Sequence, residues 1–270
     1  MNCKQYYDWE TCILTIPADY IDTLDDIPNN TKIIIFTESK KEGYSKFNNK
    51  INILPYTITH IFFGRKFNQE VNFLPDLITH LIFGNYFNQC VDKLPLKLMY
   101  LTLGTDFNRK VNNLPNFLIE LTVGYSFNQY VDNLPNTLKK LTFGEKFNQE
   151  VNNLPNSLTN LTFGINFNQE VNNLPHSITH LIFGKDFNQC INNLPNTLIE
   201  LIVGKDFNQC VNNLPNTLIK LTIGKAFDHM IDNLPFGIKE IKIKKNKVIY
   251  LKKVPFGCKI VDKYNNEILI

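Results

Sequence analysis

Leu158-Thr-Asn-Leu-Thr-Phe-Gly-Ile-Asn-Phe-Asn-Gln-Glu-Val-Asn-Asn-Leu-Pro-His-Ser177 decides the fold, because nearly the same twenty residues precede and follow it. Phenylalanine returns from Phe47 to Phe227 in steps of 20, with a glycine three residues ahead of it from Gly64 to Gly224 and Leu-Pro pairs from Leu54-Pro55 to Leu234-Pro235. A register kept over nine consecutive units without insertion means that like coils are stacked on one another. At 270 residues the chain has room for two ordinary domains, yet the period crosses every plausible boundary and reads as one elongated solenoid. The reading divides it into an N-terminal cap of degenerate repeats at 1–46, a repeat solenoid at 47–243 and a basic C-terminal cap at 244–270.

Within the quoted unit, Leu161 and Phe163 alternate with Asn160, Thr162 and Gly164, the period of a strand with one buried face. Glycine accepts positive φ or a close backbone approach, so each coil repeats a bend or tight contact at that point. Asn168 to Asn173 is rich in asparagine, and Pro175 pushes Leu174 toward extended backbone; turns and extended chain, with room for a turn of 3₁₀, are expected in place of α-helix. Leu158, Leu161, Phe163, Phe167, Val171 and Leu174 form the expected core of each coil. The asparagine after each Phe, replaced only by Asp228, reads as an internal amide ladder and not a ligand row, since a scaffold must repeat and a binding site need not. The fold class is therefore mainly β: about ten 20-residue coils carrying a parallel sheet, with little α-helix.

Hydrophobic residues make up 43% of the chain, and no apolar run approaches the ~20 residues of a membrane span. The N-terminus lacks a basic start followed by an apolar stretch, so no signal peptide is expected and the location reads as cytoplasmic. None of the six cysteines forms a Cys-x-x-Cys pair, while Cys90, Cys190 and Cys210 share one repeat column; metal fingers and disulfide frameworks are not expected. A net charge of +3 hides nine lysines between Gly237 and Ile270 against Glu240, Asp262 and Glu267. They read as a charged cap that protects a sheet edge, an anionic partner being the alternative.

Leu-x-x-Leu-x-Phe-Gly-x-x-Phe-Asn-Gln, followed by Leu-Pro-x-Ser/Thr-Leu, closely resembles the FNIP repeat, a relative of the leucine-rich repeat described chiefly in amoebae and in giant DNA viruses that infect them. The likeness covers about Phe47 to Ile243, with clear copies at Leu158 to Asn168 and Ile178 to Asn188. It implies a curved, leucine-rich-repeat-like solenoid with the sheet on its concave side and a role in binding proteins. The family usually has proline after Phe-Asn-Gln, where this chain has Glu70, Cys90, Tyr130, Glu150, Glu170, Cys190 or Cys210, which implies a tighter convex turn. Some relatives carry an F-box that recruits a ubiquitin-ligase complex. The region before Ile27-Pro28 is short, already repeat-like at Ile16-Pro17, and holds no complete F-box. Ile27-Pro28-Asn29-Asn30-Thr31 mimics the Leu-Pro turn, but the next Leu-Pro comes 27 residues later, so an irregular loop around Ser39 to Ser45 enlarges that rung. Val254-Pro255 keeps the 20-residue step without the Gly and Phe-Asn.

Variation between copies separates scaffold from surface. One column reads His60, His80, Tyr100, Glu120, Lys140, Asn160, His180, Glu200 and Lys220; beside it Phe62, Ile82, Ile182 and Ile202 interrupt a row of threonines. By analogy with leucine-rich repeats these columns face outward from the concave sheet, and their mixed charge and apolar side chains suit a protein partner better than the phosphate track of a nucleic acid. His60 and His80 fall on adjacent strands, but two ligands are too few for a metal site. His176 and His229 have no evident partner, each glycine stands alone in its coil, and no nucleophile–base or carboxylate pair is encoded. No cofactor and no catalytic residue are expected. The leading expectation is a non-enzymatic protein-interaction scaffold, and the second, from the resemblance alone, a substrate adaptor of a ubiquitin ligase.

Overall fold

The computed structural model describes residues 3–41, 43–51 and 53–269. The chain packs as two compact units, Met1–Gln129 with Asn133–Leu138, and Tyr130–Asp132 with Lys139–Ile270. The repeat itself carries no mark of this division.

The first unit opens with a 3₁₀ turn, Cys3–Tyr6, and a short strand β1 (Tyr7–Asp8) antiparallel to β2 (Ile13–Ile16). From β2 onward every pairing in this unit is parallel: β3 (Ile33–Phe36), β4 (His60–Phe62), β5 (His80–Ile82), β6 (Tyr100–Thr102) and β7 (Glu120–Thr122) follow in sequence order. Residues face their counterparts one period on, as in Leu81↔Leu101 and Leu101↔Leu121. Between β3 and β4 the register is Ile34↔Ile61, so the longer rung leaves the strand pairing intact. In that rung the Glu38 carboxylate accepts the backbone N–H of Ser45, and that of Arg65 at 2.9 Å.

The second unit carries β8 (Lys140–Thr142), β9 (Asn160–Thr162), β10 (His180–Ile182), β11 (Glu200–Ile202), β12 (Lys220–Thr222), β13 (Glu240–Lys242) and β14 (Lys259–Val261) in one parallel ladder. A 3₁₀ segment, Lys245–Tyr250, lies between the last two, and Val261 bridges Glu267 in antiparallel fashion. No α-helix occurs among the described residues, and 3₁₀ structure is confined to the two ends. No helix among them is long and apolar enough to cross a membrane.

The degenerate ends keep the closing turn of the repeat. Leu158 N–H donates to the Pro155 carbonyl at 3.1 Å; Tyr20 does so to Pro17, Thr31 to Pro28 and Cys258 to Pro255 at 3.0–3.1 Å. Proline supplies the fixed φ and the carbonyl, and loses nothing by having no N–H at that bend.

The six expected core positions, Leu158 through Leu174, are buried to 5% exposure or less. Two phenylalanine ladders fill the coils. Rings of the Phe-Asn-Gln column lie 6.1–6.3 Å apart from Phe47 to Phe127 and 6.0–6.4 Å from Phe147 to Phe227, with planes within 10° of parallel. Where the residue before glycine is also Phe, it seats on the ring of its own coil, as for Phe163 and Phe167 at 3.7 Å. In the first unit the ring spacing widens from 4.1 Å for His60–His80 on the outer sheet face to 5.2 Å for Phe63–Phe83 and 6.3 Å for Phe67–Phe87. The coils of that unit therefore splay away from the sheet, which takes the inner side of the bend.

Of the two reasons for the repeated glycine, close approach is the one that operates. Positive φ among the described glycines is confined to Gly43 and Gly257, outside the repeat column. A Cβ at Gly184 would overlap the Gly164 carbonyl oxygen, and one at Gly164 the Gly144 carbonyl. Within each unit, from Gly84 to Gly124 and from Gly164 to Gly224, a coil rests on the backbone of the one before it, leaving no room for a side chain.

The asparagine ladder is realised in both units. Asn68, Asn88, Asn108 and Asn128 each donate a backbone N–H to the side-chain oxygen of the asparagine one coil earlier, at 2.7–3.0 Å. Asn168, Asn188 and Asn208 repeat this at 2.8–2.9 Å, and Asp228 keeps the donor side of the contact at 3.0 Å. The glutamine amide that follows adds a bond to the same residue, as Gln189 does to the Asn168 carbonyl at 3.1 Å. A backbone N–H that the bend would otherwise leave without a partner is thus satisfied from the previous coil.

Two outcomes test this packing. Phe167→Ala should lose about 3–5 kcal/mol in urea unfolding by opening a cavity, whereas Lys140→Ala on the outer face should change stability by less than about 0.5 kcal/mol. Gly184→Ala, a gain of one methyl, should destabilise by more than about 1 kcal/mol because the obstructing atoms are backbone; a melting temperature equal to wild type would show that the coils are not in contact there.

Candidate functional site

Strand alternation presents two side-chain columns outward and one inward. Ile61, Leu81, Leu101 and Leu121 are buried in the first unit, as are Leu141, Leu161, Leu181, Leu201 and Leu221 in the second. The flanking positions of the same strands are half-exposed or exposed. The columns expected to face outward do so in both units, and parallel register sets like positions side by side.

On the first unit the outer column forms an aromatic stack. His60 and His80 rings lie 4.1 Å apart with planes 14° from parallel, and His80 and Tyr100 lie 4.3 Å apart at 17°. Phe62 extends it from the neighbouring column, 6.3 Å from His60. Glu120 follows on β7. Burial among these rings lowers the pKa of His60; for His80 burial acts first, the adjacent His60 adds to it, and Glu120 opposes both.

On the second unit the column reads Lys140, Asn160, His180, Glu200, Lys220 and Glu240, with charge alternating over the last three. His180 Nε2 and Glu200 Oε2 are 4.0 Å apart on adjacent strands. Ile182 and Ile202 stand opposite each other in the second column.

A third column escaped the sequence reading. The residue just before each strand is Thr59, Thr79, Thr159 or Thr179 at four of the coils, and its hydroxyl lies 2.8 Å from His60 Nδ1, His80 Nδ1, Asn160 Oδ1 and His180 Nδ1 respectively. The same hydroxyls reach the carbonyl one coil earlier, at 3.1–3.3 Å. One hydroxyl thus ties the side chain that follows it to the backbone of the previous coil, which fixes the orientation of each imidazole. Elsewhere this column holds Ile199 and Ile219, 37% and 38% exposed. Its signal was the same variation between copies, overlooked because the position precedes the strand.

His229 and Arg109 belong to the polar ladder between coils. His229 was expected to lack a partner, yet its Nε2 lies 3.0 Å from the Asn208 carbonyl, the bond that glutamine makes in other coils. Arg109 does the same toward Asn88 at 3.0 Å. Cys190 and Cys210 are exposed free thiols. Among the described residues no three His, Cys, Asp or Glu side chains converge to hold a metal ion.

The FNIP Repeat family profile matches residues 67–106, 107–146, 147–186, 167–206 and 187–226. Among solved structures, CroV588, a circular LRR protein, is 31% identical with a TM-score of 0.58, over 92% of this chain and 49% of its own. YopM from Yersinia enterocolitica WA-314 is 17% identical with a TM-score of 0.48, over 92% of this chain and 59% of its own. The chain spans about half the length of these structures. No curated protein matches it significantly. Repeat folds of this LRR-like kind typically serve as non-enzymatic scaffolds for protein partners. With the matched segments running over more than half its length, and each of them taking in two coils of a parallel β-solenoid, the chain belongs to the FNIP repeat family.

Proposed function

We propose that this protein is a non-enzymatic scaffold that binds a protein partner on the outer sheet columns, with the His60–His80–Tyr100 stack as its aromatic anchor. The observation that carries this reading is the contrast between columns. Inward positions stay apolar throughout, with the Phe67 to Phe227 column unchanged, while the outward ones move between charged, polar and aromatic residues although the scaffold would be served by a uniform polar residue. Stacked rings expose a large rigid surface that loses little conformational entropy on binding, the character of interface hot spots. The alternating charges of the second unit add register and partner selectivity.

The test uses the full chain as bait, alone and with Tyr100→Ala or Glu120→Lys. A specific partner should bind the wild type, lose about tenfold or more in affinity with Tyr100→Ala, and be indifferent to Asn153→Ala on the Leu-Pro edge. Binding unchanged by either sheet-face variant overturns the assignment. Retention of ligase core subunits by the same bait would make the scaffold a ubiquitin-ligase adaptor.

The histidine stack adds a pH signature. Both folded pKa values lie below the ordinary one, so between that folded value and about 6.5 the unfolded chain binds protons that the folded chain refuses. The stabilising contribution of the pair is present above about pH 6.5 and is lost as pH falls through that window. The melting temperature of wild type should therefore fall more between about pH 7 and 5 than that of His60→Asn/His80→Asn, which carries the residue native to position 160.

A further inference from the structure

Two coils of the second unit spell the Leu-Pro edge Asn-Leu-Pro-Asn-Thr, at Asn193 to Thr197 and Asn213 to Thr217, and Asn153 to Ser157 differs from them only by its serine. In the first unit the same places hold Ile53, Tyr56, Phe73, Leu77, Leu96 and Phe117, which are 87%, 76%, 82%, 38%, 69% and 64% exposed. The coil does not require apolar residues there, since it is built with asparagine and threonine elsewhere. A contiguous exposed apolar patch of this kind marks an interaction surface.

Ile53, Tyr56, Phe73 and Leu77 line one open groove, which continues past Tyr56 toward Trp9. Its border is acidic, with Asp25, Asp26 and Asp76 against Lys4. The occupant that fits carries aromatic side chains among lysines. This chain displays that chemistry at the other end of its sequence: Phe236 and Phe256, each directly after the proline of its coil, are fully exposed, and Ile249 is 72% exposed. They stand among the nine lysines of residues 237–270.

We infer that a second copy of this chain is the occupant, its Phe236 and Phe256 entering the groove beside Tyr56 and Phe73 while its lysines face Asp25, Asp26 and Asp76. Apolar anchors supply the affinity, and the opposite charges of the two surfaces orient the encounter. The contact joins two different surfaces, so it is heterologous and yields closed rings or open chains. This surface is separate from the sheet columns, and its failure would leave the scaffold assignment untouched.

The experiment is sedimentation velocity on the full chain over a range of concentrations. Wild type should associate beyond its 31.4 kDa monomer and dissociate as salt is raised. Tyr56→Asn/Phe73→Asn and Phe236→Asn/Phe256→Asn should each remain monomeric with unchanged melting temperatures. An equimolar mixture of the two should recover a one-to-one complex, because the first variant keeps an intact C-terminal surface and the second an intact groove. If either variant fails to fold, Asp25→Lys/Asp26→Lys should weaken association about tenfold and Lys252→Glu/Lys253→Glu should restore it. A wild type that stays monomeric at every concentration overturns the inference. So does a mixture that fails to assemble, or association lost with the groove variant but kept by the Phe236/Phe256 variant, which would mean that the groove meets itself.

Discussion

Within each unit the carbonyl of one repeat glycine lies where a side chain on the next repeat glycine would have to begin. That approach of backbone to backbone fixes the distance between coils at one corner, and the strand hydrogen bonds fix it along another. With two such clamps, any residue at a given place in one coil is held beside its counterpart in the next. Parallel phenylalanine rings and asparagine-to-backbone bonds follow as consequences of register, because only like residues placed over like can satisfy both packing and polar groups through a long stack.

The same constraint divides the chain between structure and recognition. An inward residue must suit the coil before it and the coil after it, which keeps every buried column apolar and holds the column from Phe67 to Phe227 to one residue type. An outward residue answers to neither. His60, His80 and Tyr100 can stack where Lys140 and Asn160 stand in the other unit, and the strands beneath stay alike. The polar substitutions inside the ladder are conservative in function even where the residue changes: His229 and Arg109 find the carbonyl that glutamine uses, and Asp228 keeps its N–H donation.

Much of the fold was legible because burial and repetition coincide. Leu158, Leu161, Phe163, Phe167, Val171 and Leu174 were identified from period alone, and the parallel sheet followed from them. The glycine column was read as either positive φ or close approach; deciding between them needed the neighbouring coil, which no local pattern contains. The outer columns were legible as columns, but not the stacking of two histidines on a tyrosine, which depends on side-chain conformers, nor the threonine hydroxyls that orient the imidazoles. His229 was misjudged because its partner lies 21 residues away in sequence, at a backbone carbonyl that any residue type would present. The division into two units left no trace in the repeat.

Within each unit the side-chain oxygen of a repeat asparagine serves the coil after it, and that coil's own asparagine serves the one beyond. Every block of twenty residues thus arrives with one acceptor to offer and one donor to place, and is complete only when joined at both faces. Growth or shortening of such a chain is quantised. A whole block slips in or out with its polar accounts in balance, whereas a fragment of one leaves a mismatched seam through every layer above it.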